Sequence, residues 1–398
     1  MPSAVHPMSQ AGVPAPAPAR VTAANWQFAP HSRWGFCNVR RVLPTARVGR
    51  GAGPAHRFAE QRSDLSALPV PLPGGARQAL AQVLDDSCTD GFLVLHRGRI
   101  VYERYSGELR PDQTHIIMSV SKSLIGSLIG ILAERGVLDL ARPAGHYVRE
   151  LRADGYGAVS LARLLDMRSA MKYSEDYSDP AAEFFDFDAV CGLRPPVRPL
   201  QAEGMYDYLA RLPADPADPG DFSYRSTDTD VLGWVAECST GLGLERLLGE
   251  ALWAPLGCEQ DADLMLDPLG APLADGGLCT TLRDLARFAQ MHLEGGSFHG
   301  RQIVPARWIE EGCRGDSAAY ARNGFTTLFP QGAYARQWWL ADAAGRRRLA
   351  LGIHGQTIYL DAQEALACVV LASTAKPVER GGLETKLGAF SAIADALR

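Results

Sequence analysis

The stretch from Ser121 to Arg135 is apolar on nearly every side of a helix, with Leu124, Ile125, Leu128, Ile129, Ile131 and Leu132 leaving no polar face. A helix of that kind has to be buried all round. Gly136, directly after it, is a usual C-terminal stop. The chain must therefore supply packing partners on every side of this one element. It has the means, because 398 residues at 46% hydrophobic and 21% charged is the balance of a core-forming globular protein. That length predicts two or three domains, or one large domain carrying an insertion.

Strand signals lie on both sides of the buried helix. Gly91 to Tyr105 carries Phe92-Leu93-Val94-Leu95 and Ile100-Val101-Tyr102 around Gly98, the pattern of a hairpin. Near the other end, Gln337 to Leu340, Leu349 to Ile353, Thr357 to Leu360 and Ala367 to Leu371 all read as strands, and Leu383 to Leu397 as a closing helix. Val231 to Cys238 and Leu282 to Leu293 read as further helices. The order predicts an α/β (α+β) fold, with one antiparallel sheet built from both ends of the chain and an all-helical domain inserted. The expected division is 26–123 with 270–398 as the α/β domain and 124–269 as the helical domain. Residues 1–25, with the run Pro14-Ala15-Pro16-Ala17-Pro18, are expected to be a disordered extension. The junction of the two domains is the expected place for a site.

Several chemistries are disfavoured. A formal net charge of −5 is poor for binding nucleic acid, which needs clustered basic residues. Eight cysteines are scattered without a C-x-x-C pair or zinc spacing, so they read as core thiols, and no metal or cofactor is expected. There is no G-x-S-x-G elbow, no H-E-x-x-H, no Walker A and no G-x-G-x-x-G. No signal peptide and no run of about 18 apolar residues is visible, so no membrane partner is expected and the expected location is the cytoplasm.

What remains is Ser119-Val120-Ser121-Lys122, an S-x-x-K motif at the head of the buried helix. Positions i and i+3 share a helix face, so Lys122 can reach the Ser119 hydroxyl. Burial would lower the lysine pKa and make it a base, the Ser-Lys form of an activated nucleophile. The motif alone is unspecific, because Ser169 to Lys172 and Ser373 to Lys376 match it as well. Context separates them. Ser169 is followed by a polar loop, and Ser373 follows a strand end and precedes Pro377. Only the Ser119–Lys122 pair sits where a buried polar pair would be costly unless used. The plain alternative for Ser119 is a helix cap with a snorkelling lysine. Tyr224-Arg225-Ser226 supplies a phenol that, beside a lysine ammonium, could titrate low enough to relay protons, although most such tyrosines only pack.

Met118-Ser-Val-Ser-Lys-Ser123, Glu175-Asp-Tyr177, Ser226 to Trp234, Arg336-Gln-Trp-Trp339 and Gly352-Ile-His-Gly-Gln356 together resemble the penicillin-recognising, class C β-lactamase-like serine hydrolases. The resemblance covers nearly all of the chain after residue 25. It implies a β-lactamase-like sheet flanked by helices, with Ser119 as nucleophile, Lys122 as general base and Tyr224 as proton relay. It implies an oxyanion hole from the backbone N–H groups of Ser119 and Ile353. It also implies Tyr177 on a lid loop, Asp188 and Asp275 near a substrate amine, and Trp339 in the pocket wall. Taken alone, Asp188 reads equally as a solvated loop acid, Asp275 as a turn former, Trp339 as core and Tyr177 as a surface aromatic.

Two departures bear on the substrate. The family's Tyr-x-Asn ends here in Ser226, and its Lys-Thr-Gly strand reads Ala350-Leu351-Gly352. The lost lysine would be the cation for a β-lactam carboxylate, so antibiotic hydrolysis and D-alanyl-D-alanine peptidase activity are disfavoured. The expected substrate is a small molecule, a short linear amide carrying a free amine. A carboxylesterase of short acyl esters is the alternative, and a catalytically idle binding module the more distant one. A homodimer is implied by resemblance alone.

Overall fold

The computed structural model describes residues 20–321, 324–379 and 381–398. Most of the segment expected to be disordered, residues 1–19, lies outside the described residues. Its last part is ordered: Val21 is buried in the main core.

The main sheet has eight strands: β1 (Ala59–Glu60), β2 (Thr89–His96), β3 (Arg99–Tyr105), β4 (Ala333–Ala335), β5 (Trp338–Leu340), β6 (Arg347–Leu351), β7 (Thr357–Asp361) and β8 (Leu366–Ala372). Their spatial order is β4-β5-β6-β7-β8-β2-β3-β1. The two ends of the chain meet where β8 pairs antiparallel with β2, with Val369 opposite Leu93 and Val370 opposite Phe92. Both strands are buried on both faces, which is why they read as continuous apolar runs. Alternation sorts their side chains. Leu93, Leu95, Ala367, Val369 and Leu371 enter one core, while Phe92, Val94, Leu366, Cys368 and Val370 enter the other.

Local chemistry sets the turns. The β2–β3 hairpin closes through Arg97 and Gly98 at φ 52° and 73°, a two-residue turn whose twist suits the flanking strands. Arg336 and Gln337, at φ 49° and 68°, do the same between β4 and β5. Gln337, expected to open a strand, therefore sits in the turn before it. The strand expected at Leu349 to Ile353 runs Arg347–Leu351 and gives way to a tight turn, Ile353–Gly355.

Four helices matter for the site: α1 (Ser121–Glu134), α2 (Ser226–Thr240), α3 (Leu282–Leu293) and α4 (Gly382–Leu397). α3 covers one face of the sheet through Leu282, Leu285, Ala286 and Ala289. α4 covers the other through Phe390, Ile393 and Ala394. α1 is buried from Ser121 to Leu132, as its composition demands. It packs so closely on the β4–β5 turn that a Cβ at Gly126 would stand 2.7 Å from the Arg336 carbonyl oxygen. α2 begins at Ser226, five residues before the expected Val231, because its polar first turn is buried and hydrogen bonded rather than solvated.

A second, four-stranded sheet of short pieces pairs Thr45–Val48, Ala262–Met265, Leu278–Thr280 and His115–Ile116. It sets the approach to α1 beside the Asp275–Leu278 stretch: the Ile117 N–H donates to the Leu278 carbonyl at 2.9 Å. No described helix is long and apolar enough to cross a membrane.

Candidate active site

Ser119 sits in a single tight turn, Met118–Val120, that leads into α1. Met118 is held at φ 47°, an uncommon conformation for a side chain of its size. One turn further along, the Lys122 Nζ donates to Ser119 Oγ at 2.8 Å and to the Asp275 carbonyl oxygen at 2.8 Å. The Asp275 carboxylate stands 3.6 Å from the same Nζ. Tyr224, just before α2, stands beside them, with the Lys122 Nζ 5.3 Å from its ring centroid. Residues a hundred positions apart are thus brought to one point, with Lys122 1% exposed.

The electrostatics correct two expectations, a lowered Lys122 and a low-titrating Tyr224. Burial is the largest single influence on Lys122 and pushes its pKa down. Tyr224, Asp275, Glu175 and Asp230 together outweigh it, so Lys122 holds its proton more tightly than an ordinary lysine. Burial raises the Tyr224 phenol above its usual range, while Lys122 and the contact with Ser119 pull it down without cancelling the rise. Lys122 therefore rests as an ammonium.

Glu175 had no assigned role in the sequence, although it stands two residues before Tyr177. It lines the cavity, half-buried, and accepts from the Ser226 N–H at 2.6 Å, the Ser226 hydroxyl at 2.8 Å and the Tyr177 hydroxyl at 2.5 Å. Its pKa is raised, chiefly by burial and against the pull of Lys122 and these bonds. Ser226, where the family has asparagine, thus spends its hydroxyl on anchoring Glu175.

Ser119, Glu175, Tyr177, Asp188, Ser226, Asp275, Gly276 and Ile353 line one cavity of about 40 Å³, closed on its far side by Trp26, Gln27, Phe184 and Leu193. Asp188 sits on a short helix, Glu183–Val190, and its carboxylate is already occupied: the Arg194 Nε donates to it at 2.7 Å. Burial is the main reason its pKa is pushed up to about 6, with Arg194 opposing. Trp26 Nε1 and Gln27 Nε2 both donate to the Leu193 carbonyl, at 3.1 and 3.2 Å, tying the chain's beginning to this wall. No sequence signal marked that link, because the two loops are distant in the chain and neither has a periodic pattern. Trp339, expected in the cavity wall, lies one layer behind. It stacks on Tyr224 with centroids 5.5 Å apart and planes 19° apart, and is buried in the second core.

Ile353 opens the turn between β6 and β7. That turn leans directly on the Ser119 segment: a Cβ on Gly352 would meet the Ile117 carbonyl oxygen at 2.7 Å and the Met118 Cβ at 3.1 Å. A serine hydroxyl, a buried cation, a phenol and two backbone stretches thus converge on one small space, an arrangement suited to acyl transfer.

The fold and the sequence place this arrangement in a family. The β-lactamase family profile matches residues 77–392, and the chain belongs to that family of serine hydrolases. Within it, the chain is 39% identical over 376 residues to the 6-aminohexanoate-dimer hydrolase of Paenarthrobacter ureafaciens, covering 94% of this chain and 93% of that protein. A solved Bacillus anthracis structure provisionally named for the same dimer hydrolase superposes with a TM-score of 0.88 at 28% identity, over 96% of this chain and 98% of that one. A family VIII carboxylesterase shares the fold at a TM-score of 0.56 and 17% identity, over 78% of this chain and 95% of that one.

Proposed function

We propose that the chain hydrolyses short linear amides through an acyl-enzyme on Ser119, and that its preferred substrates carry a free amine. The observation that carries this reading is the 2.8 Å hydrogen bond from a fully enclosed Lys122 to Ser119 Oγ. In the reacting state Lys122 is the free amine and takes the Ser119 proton as Oγ attacks the carbonyl carbon. The N–H groups of Ser119 and Ile353 receive the oxyanion. Collapse breaks the C–N bond. Tyr224 gives its proton to the departing nitrogen and regains one from Lys122. Water then attacks the ester, Lys122 accepts its proton, and Ser119 leaves with a proton restored. Tyr177 closes over the bound chain. The free cysteines suit a reducing compartment, the cytoplasm.

The resting ammonium explains why an amine on the substrate helps. Asp275 faces the cavity and, 3.6 Å from Nζ, is one of the charges that hold the proton on Lys122. A substrate ammonium pairing with Asp275 offsets that charge. Lys122 then releases its proton at lower pH, so the substrate prepares the base that attacks it. The test is the pH dependence of kcat for an ω-amino amide and for its N-acetylated, neutral counterpart. The acid limb, which reports the base in the bound complex, should lie at lower pH for the charged substrate. Coincident limbs would remove Asp275 from substrate recognition and favour the carboxylesterase reading.

A further inference from the structure

Lys386 is one of only four lysines in the chain and lies far from Ser119 in sequence. It sits on α4, whose sheet-facing side runs through Leu383, Leu387, Phe390, Ile393 and Ala394. By helical spacing Lys386 belongs to that apolar side. A lysine there costs desolvation, and a leucine would pack without that cost. Its ammonium reaches the end of the sheet and donates to the Gly355 carbonyl oxygen at 2.6 Å.

Gly355 closes the Ile353–Gly355 turn. The turn needs two successive left-handed residues, His354 at φ 61° and Gly355 at φ 97°, and its other groups are tied down one by one. Gln356 pairs both ends of its amide with Ala372, donating at 2.5 Å and accepting at 3.0 Å. The His354 N–H donates to the Pro377 carbonyl at 2.8 Å, and its ring Nδ1 bonds the Thr374 carbonyl oxygen at 2.7 Å. The Gly355 carbonyl has the Thr357 hydroxyl at 3.3 Å and, much closer, Lys386. A Cβ at Gly355 would stand 3.0 Å from Nζ, at a φ that L side chains rarely adopt.

We propose that Lys386 is a positioning residue, which holds the Gly355 carbonyl so that the Ile353 N–H faces the oxyanion formed on the Ser119 adduct. The inference rests on Ile353 serving as an oxyanion donor. A charged donor on this carbonyl forms one of the stronger protein hydrogen bonds, and a misplacement of about 1 Å at such a site can cost ~10²-fold. Burial of Lys386 lowers its pKa to about 8, with Glu379 opposing, so it is charged at neutral pH.

The test uses Lys386→Met and Lys386→Arg on a neutral p-nitrophenyl ester and its thiono counterpart, in which sulfur replaces the carbonyl oxygen. Lys386→Met should lower kcat on the ester by about ten- to a hundredfold with KM unchanged. It should also shrink the oxo/thiono rate ratio, because sulfur accepts hydrogen bonds weakly and gains less from the hole. Lys386→Arg, which keeps the charge and the donor, should recover most of both. An unchanged oxo/thiono ratio in Lys386→Met would overturn the proposal, as would a loss that the arginine variant does not recover. If Lys386→Met does not fold, Lys386→Gln takes its place under the same criteria. Fluorophosphonate labelling of each variant keeps the two readings apart. An adduct on Ser119 with wild-type rates refutes the role of Lys386 alone, and an adduct on another residue refutes the site.

Discussion

The floor and the wall of the cavity are built differently. The floor is Ser119 with Lys122 and Tyr224 behind it, carried at the heads of α1 and α2 and backed by aromatic rings. Trp339 stacks on Tyr224, and Tyr334 and Phe222 pack edge-on or tilted around it. The wall comes from the start of the chain at Trp26 and Gln27, the Glu175–Tyr177 loop, the short helix of Asp188 and the loop at Leu193. Trp26 and Phe184 anchor it in the first core, and ring contacts, hydrogen bonds and one ion pair join the pieces. The serine, lysine and tyrosine are thus carried at helix ends, and the wall by loops and a short helix drawn from separate parts of the chain.

Damage to the floor should be large and indifferent to the substrate. Ser119→Ala should lower kcat by about 10⁶-fold on ester and amide alike. Lys122→Ala should come close to that, and the double variant should be hardly worse than either single one, because the two groups act as a unit. Losses that multiply would make Lys122 a packing residue. Tyr224→Phe keeps the stack on Trp339 and removes only the hydroxyl. It should cost about 10²- to 10⁴-fold in kcat, the usual contribution of a positioned proton donor. A larger loss on the amide than on the ester would fit its part in protonating a departing nitrogen. A rate equal to the wild type on both would take the phenol out of the mechanism.

The same division governs what could be read in the sequence. α1 and the Ser119–Lys122 pair were legible because an all-round apolar helix with a lysine in its first turn has few structural explanations. β2 and β8 were legible as apolar runs, whereas the strands of the smaller sheet are two to four residues long and carry no period. The direction of the Lys122 shift was not legible. It depends on Tyr224, Asp275, Glu175 and Asp230, which reach Lys122 from over fifty to over a hundred and fifty positions away, and only the fold makes them neighbours. Nor could spacing say which of two adjacent tryptophans meets the site. Strand alternation sends Trp338 into the first core and Trp339 into the second, behind Tyr224. The occupied state of Asp188 was hidden for a related reason. An acid six residues before an arginine is unremarkable in sequence, yet here the two form a largely buried pair.

That pair gives the smallest effect and the most selective one. Asp188 faces the cavity, but a substrate ammonium would have to share it with Arg194 or displace Arg194 from it. Its net contribution to binding a cation is therefore less than the ~1.5–3 kcal/mol of an unshared charged hydrogen bond. Asp188→Asn keeps the shape and leaves Arg194 an acceptor. It should reduce kcat/KM for an ω-amino amide by about fivefold, or ~1 kcal/mol, and change that of a neutral p-nitrophenyl ester by less than about twofold on the same scale. The pH dependence supplies a second reading. Asp188 is pushed up to about 6 in the folded chain, chiefly by burial. As the pH falls through that value the carboxyl gains a proton and loses its attraction for a cation. In the wild type kcat/KM for the charged amide should therefore drop below about pH 6 relative to the ester, and in Asp188→Asn the two profiles should run parallel. Equal losses on both substrates, with no change in their relative pH profiles, would place Asp188 in the architecture of the wall and leave recognition of the amine to Asp275.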